Sequence, residues 1–120
     1  MPALEDFFPY PGFRPHQREM LEFCSACARD GGIALVDAPT GSGKSSILAA
    51  LLAGGGGRRI LVAVRTVSQL NTFIREASLI RGKRPELRFA YLVGKRGMCP
   101  LAGEGDVYRR CEGVKNFSSL

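Results

Sequence analysis

The sequence has no hydrophobic run long enough to cross a lipid bilayer. Its longest apolar segment, from Ile47 to Ala53, is far shorter than the roughly 20 residues that a membrane-spanning helix needs. The start of the chain also lacks the basic and then apolar pattern of a secretory signal peptide, because Glu5 and Asp6 stand there. These absences predict a cytoplasmic protein without a membrane partner.

The chain is also short of length and of repetition. Its 120 residues suffice for about one modest core, which excludes a two-domain enzyme, and the Gly54–Gly57 run is its one low-complexity stretch. With 45% hydrophobic and 23% charged residues, it has the composition of a globular protein and not of a disordered tail. The net charge of +6 favours partners rich in phosphate, although plain solubility would explain the charge as well.

The four cysteines fall into two unlike pairs. Without an export signal they are expected to be thiols or metal ligands rather than disulfides. Cys24 and Cys27 lie in a helix-like segment, where small buried apolar residues are expected. Cys99 and Cys111 lie in a glycine-rich, irregular segment. The spacing does not suggest a zinc site built from all four.

The hydrophobic pattern alternates between helical and extended segments. A helix is predicted over 15–29 after an ordered, aromatic-rich lead-in, and strands over 33–36, 60–64 and 87–93 are separated by helices over 44–53 and 67–81. Thr66 and Gln69 have the spacing of a capping box for the last helix. This order predicts an α/β fold, with a parallel sheet covered by helices on both faces. After Val93 the periodicity stops, with no clear strand or helix.

A glycine-rich loop lies between the first predicted strand and the next helix. It reads APTGSGKS over 38–45, a Walker A arrangement with Ala38 where the general pattern has glycine. Gly41 and Gly43 would let the backbone N–H groups converge on a phosphate, Lys44 would reach the outer phosphates, and the Ser45 hydroxyl would bind magnesium. The predicted cofactors are therefore ATP and Mg²⁺. The predicted binding residues of the loop are Ala38, Pro39, Thr40, Gly41, Ser42, Gly43, Lys44, Ser45 and Ser46.

The loop and its flanks resemble superfamily 2 helicases of the XPD and FancJ branch. Upstream, the segment FRPHQ over 13–17 is similar to the place where those helicases hold adenine, which implies that Gln17 reads the adenine edge; a solvent-facing helix residue is the alternative. Downstream, LVAVRTVSQ over 61–69 is similar to their motif Ia. That resemblance implies that Arg65 and Thr66 contact the backbone of single-stranded DNA, while Thr66 could instead be a helix cap alone.

The segment around Cys99 resembles the beginning of the iron–sulfur domain of the same helicases. The resemblance implies that Cys99 and Cys111 are the first two ligands of a [4Fe–4S] cluster, whereas two free thiols are the alternative. It also implies that 1–95 is the N-terminal part of a RecA-like P-loop NTPase domain, incomplete here, and that 96–120 begins the iron–sulfur domain.

The resemblance as a whole implies a segment of an ATP-dependent 5′-to-3′ DNA helicase, with a role in DNA repair. Such a protein would be found at the nucleoid of a prokaryote or in the nucleus of a eukaryote. The missing remainder of the helicase would be its partner, because no apolar strand here ends in the Asp-Glu pair that holds magnesium and orients water. The alternatives are a small kinase-like enzyme and a stand-alone nucleotide- or metal-binding module.

Overall fold

Four α-helices and two short 3-10 helices form the regular structure of the residues described. A computed structural model describes residues 2–98 and Gly105, and it divides the chain into two compact units, 1–89 and 90–120. The α-helices are α1 (Gln17–Asp30), α2 (Ile47–Gly54), α3 (Val67–Lys83) and α4 (Lys95–Met98). The 3-10 helices are Leu4–Asp6 and Lys44–Ser46. The functional division at residue 95 stays a prediction.

The predicted parallel sheet is wrong. The segments predicted as strands, 33–36, 60–64 and 87–93, run without helical structure but form no strand or bridge in the part of the chain that the structure describes. Ile33 and Leu61 are 97% and 94% exposed, so their side chains do not pack on helices either. A strand needs backbone partners on a neighbouring strand. The described segments supply none to each other, and an apolar run alone does not make a sheet.

The three long helices lie where the sequence predicts them, with shifted ends. α1 begins two residues late because His16 adopts a left-handed backbone with φ of 62°, and the Gln17 N–H closes a turn on the Arg14 carbonyl at 3.0 Å. Lys44–Ser46 forms a 3-10 turn before α2 rather than the first turn of the α-helix itself. No helix was predicted after Val93, and this prediction is wrong for residues Lys95–Met98, which form the single turn of α4.

The core of the unit 1–89 lies between α1, α2 and α3. Leu21 of α1 and Ile80 of α3 are fully buried, and α1 packs closely against α2. The aromatic lead-in is ordered, as predicted: Phe8 is buried and stacks on Phe13 with 4.2 Å between ring centroids. Lys83 of α3 donates from Nζ to the Phe8 carbonyl at 3.1 Å, which fastens the lead-in to the end of α3.

Candidate functional site

A cavity of about 510 Å³ opens where the lead-in, the glycine-rich loop and α3 meet within the unit 1–89. This volume lies in the range of roughly 300 to 1,000 Å³ that is typical of small-molecule sites. Its walls bring together residues separated by more than sixty positions in the sequence. They are Tyr10, Gly12, Arg14, Gln17, Thr40, Gly41, Gly43, Lys44, Ser45, Ser46, Arg75 and Glu76.

The glycine-rich loop takes a conformation that requires glycine at two positions. Gly41 and Gly43 have φ angles of 82° and 83°, in the left-handed region that other residues rarely adopt. At Gly43 a side chain would also collide, because an added Cβ would lie 2.1 Å from Nε2 of Gln17. Both conditions agree with a loop whose backbone must bend tightly.

Two side chains before and at the start of α1 hold this loop. Arg14 donates from Nη1 to the Gly41 carbonyl at 2.6 Å, and Gln17 donates from Nε2 to the Gly43 carbonyl at 3.2 Å. The Gln17 Nε2 also donates to Oγ of Ser46 at 3.3 Å, and its Oε1 accepts from the Arg14 N–H at 2.9 Å. In a trans peptide the N–H points opposite to the C=O. The Lys44 N–H therefore points away from the Gln17 amide.

Gln17 is a buried residue, which corrects the solvent-facing alternative. It is 3% exposed, and both ends of its amide already bond to protein groups. Its role at an adenine edge stays a prediction. What the structure shows is a contact between α1 and the loop.

The loop itself presents a cation and hydroxyl groups. Lys44 is exposed and lines the cavity beside Ser45. Oγ of Ser42 is buried and has no hydrogen-bond partner among the described residues. A buried hydroxyl without a partner costs free energy, so the loop has unused polar capacity in this conformation.

Helix α3 contributes Arg75 and the acidic residue Glu76 to the cavity wall. Glu76 is 2% exposed and accepts a hydrogen bond at Oε1 from the Tyr10 hydroxyl, while Oε2 has no partner within the described structure. Burial, followed by the bond to Glu76, raises the pKa of Tyr10 to about 12. The Tyr10 hydroxyl therefore stays protonated at neutral pH and donates to the carboxylate.

Arg65 and Thr66 lie at the N-terminus of α3 and do not line the cavity. Thr66 is the N-cap, because its Oγ1 accepts from the Gln69 N–H at 3.1 Å, and the Gln69 Oε1 accepts from the Arg65 N–H at 3.0 Å. The predicted capping by Thr66 is therefore confirmed, while contact with DNA stays a prediction. The hydroxyl proton of Thr66 is not used by the cap, since a hydroxyl both accepts and donates.

The structure describes the cysteine pair of α1, Cys24 and Cys27. Cys24 is 4% exposed in α1, which confirms the predicted burial, whereas Cys27 is only half-buried; both are free thiols. Burial, and then the neighbouring Cys27, raises the pKa of the Cys24 thiol. Cys99 and Cys111 lie outside the described residues. Within those that are described, no group of three or more His, Cys, Asp or Glu side chains is placed to hold a metal ion.

Most of the binding residues predicted from the sequence line the cavity. It gathers Gln17, Thr40, Gly41, Gly43, Lys44, Ser45 and Ser46, whereas Ala38, Pro39 and Ser42 do not line it. The sequence reasoning missed Tyr10, Arg14, Arg75 and Glu76. For Arg14 a signal existed, because it stands in the same FRPHQ segment as Gln17. For Glu76 there was none, since it is one polar residue within a mixed helix.

Comparison with known proteins shows a distant similarity to a helicase. The chain is 30% identical over 94 residues to a probable ATP-dependent helicase of Methanocaldococcus jannaschii, which covers 77% of this chain and 14% of that protein. No family model and no solved structure matches the chain. The similarity supports a helicase-like relationship, from which neither the XPD branch nor an iron–sulfur centre follows.

Along the described part of the chain, none of the helices is both long and apolar enough to cross a membrane.

Proposed function

We propose that this chain is the ATP-binding segment of an ATP-dependent DNA helicase of the XPD-like branch. The observation that carries the proposal is the glycine-rich loop, which contributes Gly41, Gly43, Lys44 and Ser45 to one cavity of about 510 Å³. The similarity to a probable ATP-dependent helicase supports the same assignment. Because the chain spans 14% of that protein, unwinding would belong to a longer protein.

The residues of the loop suit the binding of a nucleoside triphosphate together with magnesium. The left-handed backbone at Gly41 and Gly43 is the form that allows successive N–H groups to face one phosphate. Lys44 supplies the positive charge for the outer phosphates, and the Ser45 hydroxyl supplies an oxygen ligand of the kind that Mg²⁺ prefers. Arg14 and Gln17 keep the loop in this form by holding the carbonyls of the two glycines.

Lys44→Ala tests the ATP site. A charge-assisted contact contributes about 1.5 to 3 kcal/mol, so the variant should bind ATP roughly 10- to 150-fold more weakly. Calorimetric titration of both proteins with Mg-ATP measures the change. Arg59→Ala is the matched control, because it removes an exposed cation that does not line the cavity. Equal affinity in the wild-type and Lys44→Ala proteins would refute the loop as the ATP site.

We also propose that the corner formed by Arg65 and Thr66 contacts the phosphate backbone of DNA. The corner is exposed, it carries a cation, and the Thr66 hydroxyl proton remains available after capping α3. The net charge of +6 suits a polyanionic partner. In the complete protein, Cys99 and Cys111 would contribute two thiolates to a [4Fe–4S] cluster.

Arg65→Ala tests the DNA contact. The loss of one phosphate contact should weaken binding of a single-stranded oligonucleotide and reduce the slope of log affinity against log salt by about 0.7 to 1. Fluorescence anisotropy over a salt series measures both quantities. Arg29→Ala at the far end of α1 removes the same charge, and its slope should stay that of the wild-type chain. If both variants lower the slope equally, the attraction is diffuse and the corner is not a contact site.

A further inference from the structure

Glu76 is a buried carboxylate of which one oxygen has a hydrogen-bond partner and the other has none in the described structure. It lies on α3 with 2% of its surface exposed, and Oε2 is closed to solvent and has no partner among the described residues. An unpaired acceptor in this position costs free energy on folding, and a glutamine or an apolar side chain would pack there at lower cost. Such a group in a cavity wall calls for an explanation beyond packing.

The charges around the cavity are distributed unequally. Lys44, Arg14 and Arg75 are cations on its walls, and Glu76 is the acid among the residues that line it. Phosphate groups are attracted to Lys44 and repelled by a carboxylate. Glu76 therefore suits the other end of a ligand whose anionic end lies on the glycine-rich loop.

A nucleotide has an anionic end and an end that carries hydrogen-bond donors. An ionised triphosphate has acceptor oxygens and no donors, whereas the nucleoside half carries sugar hydroxyls and, in adenine, an exocyclic amine. A buried carboxylate is a strong acceptor for such donors, and a hydrogen bond to a charged group is stronger than a neutral one. Recognition of this kind discriminates sharply, because a ligand without the donor leaves the carboxylate unpaired.

Tyr10 fixes the direction of the carboxylate. Its hydroxyl donates to Oε1 of Glu76, which leaves Oε2 as the oxygen for a further donor. Tyr10 is 39% exposed and lines the same cavity as Glu76, so a ligand bound in the cavity would lie beside the carboxylate that Tyr10 holds.

We propose that Glu76 is a specificity-determining residue that accepts a hydrogen bond from a donor on the nucleoside half of the bound nucleotide, and that Tyr10 is its positioning residue. This inference rests on nucleotide binding at the glycine-rich loop, as proposed above. The donor is a sugar hydroxyl or the exocyclic amine of the base.

The test compares ATP with inorganic tripolyphosphate, which carries the anionic charge without a nucleoside. Calorimetric titrations of the whole chain, wild-type and Glu76→Gln, should show ATP binding about tenfold weaker in the variant. Tripolyphosphate should bind the variant as well as the wild type or better, because a repelling charge is gone. The readout is the affinity for ATP divided by the affinity for tripolyphosphate, and it should fall in the variant. A purely structural role for Glu76 would leave this ratio unchanged.

Two further variants secure the interpretation. Glu19→Gln removes an acid from the exposed side of α1 and should leave the ratio unchanged. Tyr10→Phe should lower the ratio in the same direction as Glu76→Gln, but by less, since the carboxylate remains. Thermal unfolding of each variant by circular dichroism shows that the fold is kept; Glu76→Gln is isosteric and should unfold at the same temperature as the wild type or higher.

Three analogues identify the donor in the wild-type and Glu76→Gln proteins. These are 2′-deoxy-ATP, 3′-deoxy-ATP and inosine triphosphate, which lacks the exocyclic amine. The analogue that binds both proteins equally is the one whose missing group Glu76 reads. If Glu76→Gln weakens ATP and tripolyphosphate alike, or neither, the inference is overturned while nucleotide binding stands. If the wild-type chain binds neither ligand, both proposals fail together.

Discussion

The buried side chains of Gln17 and Glu76 show how much of the cavity depends on single polar groups. Gln17 uses both ends of its amide on the loop and on Arg14, so it fixes the loop before any ligand arrives. Glu76 uses one oxygen on Tyr10 and leaves the other unpaired. The first group is satisfied and the second is not. On physical grounds Gln17 gives the cavity its form, and Glu76 keeps capacity for a ligand.

The contrast between these residues also marks what the sequence could predict. Lys44 and Ser45 lie within one contiguous motif, so their common location follows from local spacing, whereas Gln17 was placed at the same site through the resemblance of its own segment. Tyr10 and Glu76 meet over a separation of 66 residues, through the packing of the lead-in against α3. No local pattern encodes that meeting. A single sequence therefore predicted one side of the cavity and missed the other.

At alkaline pH the free energy of unfolding should fall as the Tyr10 hydroxyl, which donates to Glu76, loses its proton. Its pKa is raised from 10 to about 12, so the folded chain holds this proton more tightly than the unfolded chain does. The resulting stability is fully present below pH 10 and is lost as the pH rises from 10 towards 12. Urea unfolding at pH 9 and 11 measures the loss.

Tyr10→Phe serves as the reference for that measurement. It has no proton to lose, so its free energy of unfolding should fall less than that of the wild type between the two pH values. Lysine titration affects both proteins equally and cancels in the comparison. The effect will be modest because Tyr10 is partly exposed and solvent screens its charge. Parallel pH profiles for the two proteins would contradict the raised pKa.

At the scale of elements, the helices followed from the sequence and the sheet did not. A helix makes its backbone hydrogen bonds within one segment, so α1, α2 and α3 appear where the apolar pattern predicts them, and α3 has a side-chain N-cap as well. A strand makes its hydrogen bonds with another segment, which a single apolar run does not specify. Ile33 and Leu61 belong to apolar segments that were wrongly predicted as strands, and in the described structure nothing covers their side chains. The predicted α/β fold went beyond the local information.

The N-cap of α3 gives a prediction for one element. Thr66→Ala removes the acceptor for the Gln69 N–H and should destabilise the chain by about 1 kcal/mol, measured by urea unfolding. Thr66→Ser keeps the oxygen and should stay close to the wild type. Thr72→Ala is the control within α3, because its hydroxyl only donates to the Ser68 carbonyl in the helix interior. A loss at position 72 as large as at position 66 would show that capping is not the cause.

For the whole molecule, the similarity to a probable ATP-dependent helicase covers most of this chain and 14% of that protein. The similarity to a probable helicase extends over 77% of the chain, which includes more than the glycine-rich loop alone. Hydrolysis of ATP also needs a positioned water and charge neutralisation at the phosphates, and the Asp-Glu pair that would provide them is not found at the end of any apolar segment here. If the glycine-rich loop binds ATP as proposed, we predict that the 120-residue chain binds ATP without hydrolysing it, which a phosphate-release assay measures.

The cysteines yield a prediction of the same kind for the iron–sulfur centre. The 120-residue chain should not hold a stable [4Fe–4S] cluster, because such a cluster needs four thiolates and the chain has four cysteines of two kinds. Cys24 lies in the core face of α1, and burial raises the pKa of its thiol, which disfavours the thiolate that a metal requires. Cys27 lies one turn further along the same helix and is half-buried, so it is not expected to serve as a ligand either. Only Cys99 and Cys111 would then remain as ligands, and two ligands leave half of the irons open to oxygen.

Anaerobic reconstitution, followed by iron and sulfide analysis and an absorption spectrum, measures the cluster directly. Far fewer than four irons for each chain are expected, and Cys24→Ser and Cys27→Ser should not change the amount. Cys99→Ser should abolish whatever iron is retained, because its thiolate is one of the two proposed ligands. About four irons in the wild-type chain, lost in Cys24→Ser, would show that the α1 pair binds the cluster and that the division of the cysteines into core residues and ligands is wrong.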